Sequence, residues 1–430
     1  MAPPKGVLLA HTDFPLYVIQ SLDDKHFIVG GGGGQAKTGI PNAIEVYRLS
    51  PAANGGDMSA VSVCRHDTGI RSVMNCASYY DGRHHHLATG EDEFCQTYSV
   101  KYKVFSQNDG AKGQSDNVRQ RKSDSSKSAG PDKDSVKEEK NKQLTFQIEE
   151  LKNVVTDFSS DGGFQKCVQF APKYSSLATG GADGYLRLWN YPELTKLWEV
   201  QAHKNEIDDI DFSPDGSKIV TISRDKNGSV WAVKDGKKVI DLVWNQKTAS
   251  PYRFRCCRYG IIEGKKDKFN LYTVNIPVTR SSTSHCYISL WDASKHILKK
   301  AVKAGTDAIS AFDVSPDGIF LGVGSISGNI SVYISFSLQR MYHVKEAHSI
   351  FVTGLDFLPA SEATRAVTGD YNYNLVSISV DNTVRLHQSQ ERSSYSPILS
   401  SASEKHEAPL ILVPAQLNLK VIMIKQVTLP

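Results

Sequence analysis

A unit that recurs along the chain constrains its fold more than any other feature. Each copy is a short apolar strand, a Gly/Asp turn, and an alternating strand that often ends in Trp or Tyr. The clearest copy runs from Leu177 to Trp189. Others are Leu87–Tyr98, Lys218–Trp231, Phe320–Tyr333 and Leu375–Leu386, with a divergent one at Tyr287–Asp292. Two markers lie upstream of copies: Ala-His at Ala202-His203 and Ala347-His348, and Ser-Pro-Asp-Gly at Ser213–Gly216 and Ser315–Gly318. In the latter, Pro fixes φ and Gly takes positive φ, the chemistry of a tight turn. Equivalent positions recur every ~40–45 residues, the period of a four-stranded propeller blade. Such sheets bury their faces against neighbouring blades, and the ring must close to leave no exposed edge.

The spacing predicts an all-β, seven-bladed propeller over residues 1–390, with blades at about 14–50, 60–155, 160–200, 203–243, 250–303, 306–345 and 348–388. Residues 5–12 and 395–401 both offer a closing strand. An insertion at 106–143 in the second blade is rich in Ser, Lys, Asp, Gln and Gly and nearly free of aliphatic side chains. It buries too little apolar surface to offset chain entropy, which predicts disorder. The 391–430 tail ends in an apolar run interrupted by Pro414, Asn418, Lys420 and Lys425. Central lysines cost ~2.5–3.5 kcal/mol each on insertion scales, so no transmembrane helix is expected there. The N-terminus lacks a basic-then-apolar signal pattern. Seven cysteines, an odd number with no CxxC pair, suit a reduced, cytosol-facing protein. A net charge of +4 does not by itself point to nucleic acid.

Catalytic signatures are missing: no HExxH, no GxSxG and no zinc-type Cys/His spacing. Adjacent His84, His85 and His86 on a strand would face alternate sides, which argues against a shared metal. Asp208, Asp209 and Asp211 precede a Ser-Pro-Asp-Gly turn and read as blade-brace and turn residues. The unusual stretch is Gly30–Asn42, five glycines and then Gln-Ala-Lys-Thr-Gly-Ile-Pro-Asn between two apolar strands. Each ordered glycine costs roughly 0.5–1 kcal/mol more than alanine in backbone entropy. Five therefore call for an ordering agent such as an ion, a partner or dense hydrogen bonding. The stretch misses the phosphate-loop pattern at Ala36, and it leads into a strand where that motif opens a helix. Its length exceeds ordinary hairpin loops of ~2–5 residues, which favours a functional loop.

The repeats resemble the WD-repeat family, in which a His, a turn Asp and a Trp brace each blade. His203, Asp225 and Trp231 match that brace best, whereas Asp183 with Trp189 lacks a clear histidine. A closer resemblance is carried by Phe14–Tyr17 with the Gly30–Asn42 loop, His66-Asp67-Thr68 with Met74-Asn75, and Thr156–Asp161. It continues through Ala178–Tyr185, Ser250–Arg253 and Glu346–His348. Over residues 12–388 the chain is similar to the family of endoplasmic-reticulum exchange factors for the Sar GTPase.

That resemblance implies a propeller on the cytosolic face of the endoplasmic reticulum membrane. There it would promote GDP release from the small GTPase that starts COPII assembly, by differential binding and without covalent chemistry. It implies a potassium ion held by loop carbonyls, here those of Gly30, Gly31, Gly32 and Gly33. It assigns partner contact to Gly34, Gln35, Ala36, Lys37, Thr38, Gly39, Ile40, Pro41 and Asn42, with Ile40 as apolar probe and Lys37 and Asn42 as polar contacts. Family members end in an apolar transmembrane helix, and the lysine-interrupted tail departs from that pattern. Competing readings are a peptide-binding scaffold without effect on nucleotide, and a DNA-associated regulator acting through the basic insertion.

Overall fold

Inner and outer strands of the repeat carry different burial, and this orders each sheet. His26–Gly32, Ser176–Gly181 and Phe320–Ser325 are buried at every position, as second strands covered on both faces. Lys238–Asp241 is exposed throughout, as an outer edge. The computed structural model describes residues 5–36, 39–51, 57–106, 142–173 and 175–389. Among them are seven four-stranded antiparallel sheets and one short helix, Glu362–Thr368. The expected 391–430 tail lies outside the described residues, as does all of the insertion except Ser106, Lys142 and Gln143. Those three end the strands Phe94–Ser106 and Lys142–Val155. No helix among the described residues is long and apolar enough to cross a membrane.

Blade 1 is built from Leu16–Ser21, His26–Gly32, Asn42–Ser50 and Ser59–Asp67, so it reaches beyond residue 50. The spacing puts residues from 60 onward in blade 2. Instead the 59–67 strand pairs along Asn42–Ser50, from Ala43 with Asp67 to Ser50 with Ser59. As an outer strand it is largely solvent-facing and carries little apolar signal. Blades 2 to 6 then follow in order, from Asn75–Tyr80 to Arg340–Val344. Blade 7 takes Val352–Phe357, Asn374–Ser379 and Thr383–Gln388, with Val7–His11 as its outermost strand. Val7 pairs with Leu386 and His11 with Thr383, so the 5–12 segment closes the ring.

The core lies between blades. At the seam of blades 7 and 1, Leu16, Phe27, Val29 and Tyr47 pack with Val376, Ile378, Val384 and Leu386. Blades 3 and 4 meet through Ala178, Leu186 and Leu188 against Ile207, Ile210, Ile219 and Trp231. Aspartates of the inner strands tie one blade to the next. Asp211 accepts from Tyr259 N at 2.6 Å, and Asp209 accepts from Cys257 N at 3.0 Å. Asp356 accepts from the Ser21 backbone N–H and hydroxyl. The three aspartates at 208, 209 and 211 therefore serve the seam between blades 4 and 5, where Asp208 and Asp209 also pair with Arg253 and Arg258. This corrects their reading as brace and turn residues. Burial pushes the Asp211 carboxyl up to about 7, against the pull of Arg258 and its backbone donors.

The brace of blade 4 is a relay. His203 Nδ1 lies 3.1 Å from Asp225, His203 Nε2 lies 2.8 Å from Thr221 Oγ1, and Trp231 Nε1 donates to the same oxygen at 2.8 Å. Burial lowers the His203 pKa, consistent with a neutral ring that donates to Asp225 and accepts from Thr221. Thr221, not singled out by sequence, is the central atom of the relay. Thr179 and Thr273 accept from Trp189 and Trp291 at 2.9 Å in blades 3 and 5. In blade 7, Ser377 stands between His348 and His387, and the tryptophan is replaced by that second histidine. Asp183 has no histidine and pairs instead with Arg187 at 2.7 Å.

Two outcomes follow for stability. Thr221→Val leaves His203 Nε2 and Trp231 Nε1 without their shared partner. Chemical denaturation should show a loss of about 1–3 kcal/mol. An acid whose folded-state pKa lies above its unfolded value of ~3.9 contributes stability in full below that value, and loses it as pH rises through the folded value, here about 7. The Tm of Asp211→Asn should therefore improve relative to the parent as pH rises from about 4 to 7, and the difference should hold level above that. Parallel Tm profiles would contradict the assignment.

Candidate functional site

The strand His26–Gly32 runs three residues into the glycine stretch before the chain leaves the sheet. Gly30 pairs with Val18 and Ile44, and Gly31 pairs with Leu16 and Ala43. Gly32 donates its N–H to Pro15 O at 3.0 Å and its carbonyl accepts from Ser72 Oγ at 3.3 Å. A Cβ at Gly31 would stand 2.0 Å from the Pro15 carbonyl oxygen, and one at Gly32 would stand 2.1 Å from Asn42 Oδ1. Close approach of neighbouring backbone explains these glycines. Their backbone groups are engaged by neighbouring strands and by Ser72, so Gly30, Gly31 and Gly32 do not fit as potassium ligands. Of the four proposed carbonyls, only that of Gly33 lies beyond the strand.

The loop proper is 33–41, between the second and third strands of blade 1. Lys37 and Thr38 fall outside the described residues. Gln35, Ala36 and Gly39 are exposed, Ile40 is 41% exposed, and Pro41 is half-buried. Asn42 is buried, which corrects its assignment as a partner contact. Its Oδ1 accepts from Gly34 N at 2.8 Å, and its Nδ2 donates to Gly34 O at 3.2 Å and to Gly69 O at 3.0 Å. Its backbone carbonyl accepts from Thr68 N at 3.0 Å. Gly34 turns the chain with φ of +70°. One side chain thus holds the base of the loop and, through Gly69, the connector from blade 1 to blade 2. That connector presents Ile70, 65% exposed and not foreseen from the sequence. No periodic signal marks a lone isoleucine between Gly and Arg.

Farther out, Gln35 Nε2 donates to Asp92 Oδ2 at 2.9 Å, joining the loop to the turn between the second and third strands of blade 2. The Arg71 guanidinium lies 4.2 Å from the centre of the Phe94 ring, with Nε 3.7 Å from Asp92. The surface combines a polar, backbone-rich loop with two exposed isoleucines, and its described residues bring no nucleophile and base together. The phosphate-loop alternative does not fit, because strands flank the loop on both sides. His203, Asp225 and Trp231 stand in the blade 4 brace, away from the loop's bonds. Of the three adjacent histidines, His85 is buried beside Tyr80 and Tyr102, and His86 bonds Asp81 and Tyr191. Their side chains serve separate contacts.

Comparison with known proteins gives the ring a context. The model of the WD domain, G-beta repeat, matches residues 153–190 and 194–232. The WD40 β-propeller domain of Doa1 superposes with a TM-score of 0.54 at 12% identity, covering 90% of this chain and 97% of that one, which speaks to fold alone. The chain is 38% identical to guanine nucleotide-exchange factor SEC12 of Rattus norvegicus over 395 residues, 90% of this chain and 91% of that protein. It is 37% identical to the protein of the same name in Mus musculus over the same shares. SEC12-like protein 2 of Arabidopsis thaliana matches at 30% over 54% of this chain. With identity at this level to the two mammalian proteins sustained across nine-tenths of both partners, the chain belongs to the SEC12 family of guanine nucleotide-exchange factors.

Proposed function

We propose that this protein releases GDP from a Sar-type small GTPase at the endoplasmic reticulum, and that the 33–41 loop with its neighbour Ile70 makes the decisive contact. The observation that carries the reading is the Asn42 hub. It fixes two separate chain segments so that Ile40 and Ile70 stand exposed at one end of the ring. Exchange by this surface involves no covalent step. A protein that binds the nucleotide-free GTPase more tightly than the GDP-bound form shifts the equilibrium toward GDP loss by that difference in binding free energy. A prearranged apolar contact suits the task, since little ordering cost is left at the moment of binding. Family membership supports the class of activity, and COPII initiation is the process in which an exchange factor of this kind acts.

The potassium proposal is confined to backbone oxygens of the loop beyond Gly32, with Gly33 the remaining member of the original set. A bound monovalent cation would supply ordering energy to a glycine-rich segment. The chain's own residues, through Asn42, already hold the loop's base.

GDP release from the GTPase tests the reading. Ile40→Ala should slow release by about tenfold or more, as removal of an interface anchor does. Asn42→Ala should slow it similarly by loosening both segments, with the propeller still folded by circular dichroism. Release at wild-type rates in both variants would remove the loop from the mechanism. Measured in potassium and then in sodium at equal ionic strength, wild-type release should be faster in potassium; equal rates would remove the ion.

A further inference from the structure

The connector 156–164, between blades 2 and 3, carries an exposed aromatic that the brace, the core and the glycine loop leave unexplained. Phe158 is 62% exposed. Single exposed apolar residues are ordinary on protein surfaces. Phe158 differs in how firmly it is held. Its N–H donates to Asp183 Oδ2 at 3.2 Å. Asp157, 2% exposed, accepts from Asp183 N at 2.9 Å and from Ser159 N at 3.0 Å. A Cβ at Gly181 would meet Asp157 Oδ2 at 2.0 Å, so the connector lies flush on blade 3.

Beneath the ring is Arg187, only 3% exposed. Its guanidinium carbon is 4.9 Å from the Phe158 ring centre and 4.9 Å from that of Tyr185. The guanidinium donates to Asp183 at 2.7 and 3.2 Å, to Glu199 at 3.1 Å and to the Thr156 carbonyl at 2.7 Å. A buried cation with four hydrogen bonds therefore fixes the ring from below while its other face meets solvent.

Position links this residue to the proposed site. In a four-stranded up-and-down blade, the turn between second and third strands and the connector to the next blade lie at the same end. The 33–41 loop, the 68–74 connector and the 156–164 connector occupy those places in blades 1 and 2. Bonds run between them: Gln35 reaches Asp92, Gln165 N donates to Asp92 O at 2.6 Å, and Thr156 N donates to Glu93 O at 2.8 Å.

Resting on the function proposed above, we infer that Phe158 is a further apolar contact for the nucleotide-free GTPase, held rigid on Arg187 beyond the glycine loop. Its role is to set affinity and orientation, with the loop engaging alongside it. The partner surface it fits is apolar and flat enough to take one aromatic face.

Rates of GDP release against protein concentration, with melting temperatures, should be compared for the wild type, Phe158→Ala, Phe158→Tyr and Ile40→Ala. Phe158→Ala should lower kcat/KM by about tenfold or more while the Tm stays near that of the wild type, and Phe158→Tyr should restore most of the rate. Wild-type exchange by Phe158→Ala alongside impaired Ile40→Ala overturns this inference and leaves the proposed function standing. A fall in rate that only tracks a lowered Tm makes Phe158 a cover for Arg187, which also overturns it. Failure of the wild-type protein to release GDP overturns the proposed function, and this inference with it.

Discussion

Everything in this molecule depends on closing the ring between residues at opposite ends of the described chain. A blade cannot bury both faces of its sheet alone, so the seven sheets are stable only when the last packs on the first. That seam is made by three kinds of contact. Val7–His11 pairs with Thr383–Gln388, Asp356 receives the Ser21 N–H and hydroxyl, and the apolar cluster around Phe27 and Val376 fills the gap. On the outside, the N-cap Ser361 of the short helix and Thr364 both donate to Asp24 of blade 1. Loop-closure entropy grows slowly with length, ~0.6 kcal/mol per doubling, so a pairing across most of the chain costs little more than one across a single domain.

Closure determines what the glycine loop can be. Pro15, which follows the closing strand, places its carbonyl against Gly31 and accepts from Gly32. The first glycines therefore record the passage of a neighbouring backbone, and the loop that leaves the sheet starts only after Gly32. Its base is held by one amide. Asn42 has a donor and an acceptor on one planar group and uses both at Gly34, with a further bond to Gly69. A buried aspartate there would lack the donor.

Exchange by differential binding fits a surface of this kind, because it requires shape and rigidity and no reactive group. Burial raises the pKa of Asp211 and Asp356 on inner strands at the blade seams, and lowers that of His203 in a brace. They hold the scaffold. The loop end of blades 1 to 3 presents Ile40, Ile70 and Phe158 from segments bonded to one another, so the surface they form is prearranged.

The sequence alone determined the repeat, the number of blades, the His203–Asp225–Trp231 brace and the place of the loop in the first blade. Those features rest on local chemistry: Ser-Pro-Asp-Gly turns, strand alternation and residues a fixed distance apart. Tertiary structure decided which terminal segment closes the ring, that Ser59–Asp67 belongs to blade 1, and that Thr221 links the brace. It also turned Asn42 inward and left Gly30–Gly32 in the sheet. Each of these depends on which backbone lies beside which. Register between strands far apart in the chain leaves no period in the sequence, and a threonine in a buried strand looks like any other β-former until its neighbours are in place.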